Sequence, residues 1–311
     1  MNRGIVLYRS AVAVLILSTP LLAADTTVVA TVGDDPITLA DMKRTMESAP
    51  VEKRSLALAQ ALALEETVKR WLVIAYARQA GNRPSDEDLT KEKKQIQLRM
   101  AAQGGKTVAS FNAAELERQA LWRLVWVDRY LARYRTPERR AAWFSAHHRD
   151  VDGTELAVSH ILLQPKQKDD VAEIATLTKQ AEAIRAEITS GKLDFAKAAA
   201  KYSAGPSGKQ GGRLGKIGRH APMDESFSAA AFALDASQIS PPVRSPFGIH
   251  LIRCDEVVPG TKKIADVRDA IDAALAQELL TKIAGIERGR TAVKYSDAWP
   301  HFRPGTQELA K

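Results

Sequence analysis

Apolar positions change their period twice along this chain. Between residues 26 and 150 the spacing is mostly three to four. Leu58, Leu62, Val68, Leu72 and Ala75 recur at helical intervals and predict a helix from Val51 to Ala80, ended by Gly81. Ser85 with Asp88 reads as a cap before a helix to about Met100; Gln103-Gly104-Gly105 breaks the pattern; Asn112 caps a long helix to about Tyr134. Pro137 suits the first turn of another helix. Ahead of these, TTVVATVGDDPITLADMKRTM reads as a strand, a tight turn at Gly33-Asp34-Asp35-Pro36 and a helix, with Thr38 as N-cap and Asp41 as its capping-box partner.

At Val151-Asp152-Gly153 the period drops to two. TELAVSHILLQP alternates and is rich in branched residues, as a strand requires. Val171–Ser190 is an amphipathic helix closed by Gly191, and LDFAKAAAKYS a second, shorter one. A short strand is expected at Arg213–Ile217, a third helix in MDESFSAAAFAL, and a hairpin in ISPPVRSPFGIHLIRCDEVV with its turn near Ser245–Gly248. Helical spacing returns from Ile264 to Glu287, and the tail from Tyr295 reads as irregular. The expected fold class is α+β. A β-α-α-β-α-β-β module occupies residues 154–258, a mostly helical domain residues 25–150, and the helix and tail of residues 259–311 are expected to pack on that helical domain.

The N-terminus adds a destination. In MNRGIVLYRSAVAVLILSTPLLAADTT, Arg3 and Arg9 form a positive region, Ala11–Leu17 an apolar core and Ala23-Ala24 a small-residue exit. Residues 1–24 are therefore expected to be a signal peptide. The apolar run is interrupted by Tyr8-Arg9-Ser10 and Ser18-Thr19-Pro20, short of the roughly 20 residues of a membrane span. The reading is an exported, periplasmic chain, soluble after cleavage, with a retained anchor as the alternative. Cys254 is the single cysteine, so no intramolecular disulfide forms, and its setting in GIHLIRCDEV points to packing.

Charge narrows the partners. The net charge is +8. The excess lies in residues 26–150, where basic residues alternate with acids, as in KEKKQIQLRM. That is a solvated helical face and lacks the one-sided basic stripe and aromatic platforms of a nucleic-acid binder. No nucleic acid is expected; peripheral association with an anionic membrane surface or an acidic client fits better. His147, His148 and Asp150 are adjacent rather than on one helix face, and read as an exposed helix end, with no metal.

The stretch YSAGPSGKQGGRLGKIG at Tyr202–Gly218 resembles a phosphate cradle only superficially. Gly208-Lys209 is followed by Gln210 where a P-loop needs Ser or Thr, and the glycine order does not give a dinucleotide fingerprint. Leu214 and Ile217 alternate with Arg213 and Lys216, as in a half-buried strand rather than a linker.

Four ordered motifs, VSHILL, YSAGPSGKQGGRLGKIG, MDESFSAAAFAL and SPFGIHLIRC, resemble the parvulin-type peptidyl-prolyl cis–trans isomerases over residues 154–258, about a third of the chain. The flanking helices and the VATVGDDPIT opening resemble the chaperone part of exported SurA- and PrsA-like members. The resemblance implies a parvulin-like (FKBP-like) fold, isomerase and chaperone activity on unfolded or proline-containing exported chains, and no cofactor. It implies a proline pocket of Leu214, Met223 and Phe227, with Phe247 lining it. It pairs His160 with His250 on neighbouring strands and gives Ser245 the hydroxyl that bonds within that pair. Met223 and Phe227, four apart, are expected on one helix face. Three features depart from the family pattern. Gly205 stands where Asp or Cys is usual, Arg213 where Asp is common, and one extra residue near His220-Ala221-Pro222 precedes Met223. The first keeps a rival open: a parvulin-fold chaperone that binds clients without turnover. For the helices of Val51–Tyr134 the expectation is apolar grooves that take extended polypeptide.

Overall fold

The structure is a computed structural model and describes residues 26–47, 56–79, 81–102, 113–167, 170–221, 223–304, 306 and 309–310. The expected signal peptide, the first turn of the helix from Val51, the Gln103-Gly104-Gly105 break and the Asn112 cap lie outside the described residues.

Around Gly33-Asp34 the chain forms a hairpin: β1 (Val28–Val32) pairs antiparallel with β2 (Asp35–Thr38). Asp35 and Pro36, expected in the turn, are strand residues. Pro36 is tolerated because β2 lies at a sheet edge, where its missing N–H is not needed. Helix α1 (Leu39–Glu47) follows with a reciprocal capping box: Asp41 N–H donates to Thr38 Oγ1 (3.3 Å) and Thr38 N–H donates to the Asp41 carboxylate (2.8 Å). Helix α2 (Leu56–Arg78) and helix α3 (Asp86–Ala102) come next, the latter capped by Ser85 Oγ, which accepts from Asp88 N–H. Helix α4 (Ala113–Leu121) runs into a π-helical segment, Trp122–Leu131, and ends in the single turn α5 (Ala132–Tyr134). An α-helix was expected throughout. Trp126 and Leu131, five apart, bury in one cluster, a spacing that the wider π turn aligns. Helix α6 (Pro137–His147) opens on its proline.

Strand β3 (Glu155–Leu163) is followed by α7 (Val171–Thr189), α8 (Phe195–Tyr202), β4 (Arg213–Gly218), α9 (Glu225–Phe232), β5 (Val243–Ser245) and β6 (Gly248–Val258). Helix α10 (Arg268–Arg288) and strand β7 (Val293–Tyr295) complete the order. Tyr295, read as the start of an irregular tail, is the last residue of β7 and pairs with Ala30 of β1.

The described chain divides into two units: residues 140–271, and residues 26–139 together with residues 272–310. In the second, a sheet of order β2-β1-β7 and helices α1 and α2 enclose Val29, Val32, Ile37, Met42, Leu64 and Leu72. Ala276, Leu279, Leu280 and Ile283 of α10 fill a cluster with Val73, Trp126 and Leu131.

In the unit of residues 140–271, an antiparallel sheet of order β4-β3-β6-β5 is covered on both faces. Ile161, Leu163, Ile249 and Leu251 pack against Ile174, Ile184, Phe195 and Ala198 of α7 and α8. Leu156, Val158, Ile252 and Cys254 pack on the other face against Phe227, Ala231 and Phe232 of α9. Double coverage explains why β3 is buried at nearly every position while its sequence alternates only in part. Cys254 is fully buried, and burial raises its thiol pKa.

Candidate functional site

The strand register brings the histidines together. In the β3–β6 ladder His160 lies opposite Ile252 and His250 opposite Leu162, so the two are diagonal neighbours on the face that carries α9. Their Nδ1 atoms are 3.3 Å apart and their rings nearly parallel, with centroids 5.5 Å apart. The β5–β6 hairpin returns Ser245 beneath His250, with Oγ 2.6 Å from Nε2; the same oxygen accepts from Phe247 N–H at 3.0 Å. Helix α9 brings the ring of Phe227 edge-on to both imidazoles, at 5.9 Å from His160 and 5.3 Å from His250.

Both histidines are buried, His160 8% and His250 4% exposed. Burial, and secondarily His160, lowers the pKa of His250 to about 4; burial lowers that of His160 as well. The pair is therefore neutral near pH 7. It is a hydrogen-bonding device of defined tautomers rather than a pair of cations.

Leu214 and Met223 are half-buried against the apolar cluster that contains Phe227. Met223 does not share a helix face with Phe227, as was expected. It precedes α9, whose N-cap is Asp224, and reaches the cluster from ahead of the cap. Phe247 is not packed into the cluster: the residue is 57% exposed at the hairpin turn, and its N–H, donated to Ser245, is what enters the network. A cavity of about 1420 Å³ in this unit lies apart from the histidines. It is lined by Arg185, Phe195, Arg213, Ile239, Arg253 and Asp255 among others.

The loop between α8 and β4 forms the other wall. Gly212 accepts His160 N–H through its carbonyl at 2.8 Å, and a Cβ there would stand 2.3 Å from His160 O. Only glycine allows that approach, at φ +80°. A Cβ at Gly205 would lie 3.2 Å from His160 Nε2, an atom that is buried without a hydrogen-bond partner among the described residues.

Two residues that the motifs did not single out complete the frame. Ser203 Oγ accepts from Leu162 N–H (3.0 Å) and Gly205 N–H (3.3 Å), tying the end of α8 to β3. Arg219 is buried, with Glu225 held by both terminal nitrogens at 3.0 and 2.6 Å and Asp150 at 2.9 Å. Neither has a clear sequence signal: Ser203 serves backbone groups, and Arg219 bridges Asp150, 69 positions away, to Glu225 across the turn before α9. His148 Nδ1 lies 2.7 Å from the Asp152 carboxylate, and among the described residues no cluster of three or more His, Cys, Asp or Glu is placed to hold a metal.

In the helical unit, Leu56 and Leu98 are exposed, whereas the cavity between α3 and α4, about 470 Å³, is lined by Thr90, Lys93, Lys94 and Gln97 with Ala113 and Leu116. Most of the surface lining this groove is apolar despite its lysines, in keeping with the helical spacing. Among the described residues no helix is long and apolar enough to cross a membrane.

Comparison with known proteins places this geometry. The rotamase family model, a PPIC-type PPIase domain, matches residues 160–256, from the first histidine past the second. The peptidyl-prolyl cis-trans isomerase Pin1 of Malus domestica is 35% identical over 114 residues, which cover 93% of that protein and 32% of this chain. The chain belongs to the parvulin family of peptidyl-prolyl isomerases. Two further relatives of this parvulin are longer: the foldase protein PrsA of Bacillus subtilis (29% identical over 133 residues) and the chaperone SurA of Methylobacillus flagellatus (38% over 100 residues). The matches cover 43% and 32% of this chain, but only 40% of PrsA and 22% of SurA.

Proposed function

We propose that this parvulin is an exported foldase that isomerises X–Pro bonds in unfolded polypeptides, with its helical unit holding the client chain. The observation that carries the reading is the Ser245–His250–His160 network packed against Phe227. An X–Pro amide isomerises unaided in tens to hundreds of seconds, roughly, because twisting costs its resonance. No nucleophile is needed to speed it; a site that binds the twisted amide better than the planar one suffices. Leu214, Met223 and Phe227 offer the proline ring an apolar seat. The neutral network offers the amide a hydrogen-bonding surface that does not reorganise as the bond turns.

The clients would be exported or outer-membrane chains bearing proline, met in the periplasm after removal of residues 1–24. The match to proteins named foldase and chaperone supports a role on unfolded chains. The net charge of +8, reduced to +6 by the loss of Arg3 and Arg9, would assist docking at an anionic membrane surface. A protease-coupled prolyl-peptide assay, run beside suppression of client aggregation, tests the reading. The expected result is turnover above the uncatalysed rate, with kcat/KM about tenfold lower or worse in Phe227→Ala. Aggregation suppressed with no turnover would leave a binding chaperone in place of an enzyme.

A further inference from the structure

The two Nδ1 atoms that face each other at 3.3 Å share one proton when both rings are neutral, and its position fixes every other hydrogen in the line. With the proton on His250 Nδ1, His160 carries its own on Nε2, and Ser245 must donate to His250 Nε2. With the proton on His160 Nδ1, His160 Nε2 is a bare lone pair and His250 Nε2–H donates to Ser245 Oγ. Ser245 then accepts twice, from His250 and from Phe247 N–H, and its own proton is left over.

The surroundings of His160 Nε2 choose between these states. No described group accepts a hydrogen bond from it, and a buried orphan N–H is rarer than an orphan acceptor. The site of an added Cβ at Gly205 lies 3.2 Å from His160 Nε2 and 3.5 Å from Ser203 Oγ. Both acceptor positions of Ser203 are taken by Leu162 N–H and Gly205 N–H, so this hydroxyl turns a proton, not a lone pair, toward its surroundings. Ser203 therefore offers His160 Nε2 no acceptor, and a lone pair at that nitrogen is the state that leaves no buried donor unmet.

We propose that Gly205 is a positioning residue: by placing no acceptor beside His160 Nε2, it holds the protons on His160 Nδ1 and His250 Nε2 and leaves the Ser245 hydroxyl as the donor to the client amide. The assignment of a client amide rests on the isomerase reading above; the tautomers do not. An acidic side chain at residue 205 would reverse the line and turn Ser245 from a donor to the client into a donor to His250.

Long-range imidazole ¹H–¹⁵N spectra of the ¹⁵N-histidine-labelled full chain at about pH 8, where buried histidines are neutral, test this. The expected unprotonated nitrogens are His160 Nε2 and His250 Nδ1. Gly205→Asp supplies an acceptor and swaps both. Gly205→Ala adds the same Cβ without an acceptor and keeps the native pattern. A native spectrum with the proton on His160 Nε2 overturns the proposal, as does a swap as complete in Gly205→Ala as in Gly205→Asp. If Gly205→Asp does not fold, the native spectrum alone decides. Ser245→Ala is expected to lower kcat/KM about tenfold in the native background, the loss of one donated hydrogen bond. Absence of turnover in the native protein with the expected tautomers would sink the isomerase reading and leave the tautomer assignment standing.

Discussion

His250 is 4% exposed, and burial followed by the neighbouring His160 brings its pKa to about 4. An unfolded histidine titrates near about 6.5. Between these values the unfolded chain binds a proton that the folded chain refuses. The stability from a neutral His250 is thus fully present above about pH 6.5 and is lost, by something of order 3 kcal/mol, as pH falls toward about 4. Urea midpoints at about pH 7.5 and about pH 4.5 check this: the native drop should shrink in His250→Gln, and an equal drop would place the acid sensitivity elsewhere. His160, Ser245 and His250 were legible only through the resemblance of the ordered motifs, since strand alternation alone reads each histidine as ordinary core; the ladder and the hairpin are what turn them toward one another. Ser203 and Arg219 were not. The role of Ser203 comes from the backbone N–H of Leu162, 41 positions away, and Arg219 bonds a carboxylate 69 positions away. The exposure of Phe247 was not legible, because motif order says nothing about which way a turn side chain projects.

Between strands and helices, the glycine-rich loop acts through contact as well as conformation. Gly212 and Gly215 have nearly the same φ, +80° and +82°, but a Cβ at Gly212 meets His160 O at 2.3 Å while one at Gly215 meets nothing within 4 Å. Gly215→Ala should therefore cost about 1–2 kcal/mol, the left-handed penalty alone. Gly212→Ala should cost about 3 kcal/mol or more, since β3 must move away from the loop. Denaturant melts of the two variants compare them directly; equal losses would contradict the close approach. Arg219 joins the end of β4 to the first turn of α9, and Arg219→Met should cost about 3 kcal/mol in the same measurement by stranding Glu225 and Asp150. Long elements were readable from their period. The second strand of the first hairpin and β7 were not, because four and three residues carry too little alternation and exist only by pairing with β1.

Across the whole molecule, the chain leaves the unit that begins it and returns to finish it. Ala276, Leu279, Leu280 and Ile283 of α10 complete the cluster of Val73, Trp126 and Leu131, and β7 pairs with β1. A fragment of residues 26–139 should lack cooperative unfolding by circular dichroism and regain it when residues 272–311 are joined to it through a flexible linker. Residues 140–271 should fold alone. A cooperative transition in the shorter fragment would contradict this. Local spacing announced a helix from Ile264 onward and its packing on the helical domain was expected, but the residues that meet it and the pairing of β7 with β1 became visible only in the fold.

The central claim is that the site around His160, His250 and Phe227 turns X–Pro bonds. Exchange spectroscopy of a short prolyl peptide with cis and trans resonances measures this without a coupling protease. Exchange cross-peaks are expected on adding the native protein, weakened by Phe227→Ala and by Ser245→Ala in proportion to their loss of kcat/KM. An exchange rate equal to that of the free peptide, with the protein folded and the peptide bound, would contradict that claim.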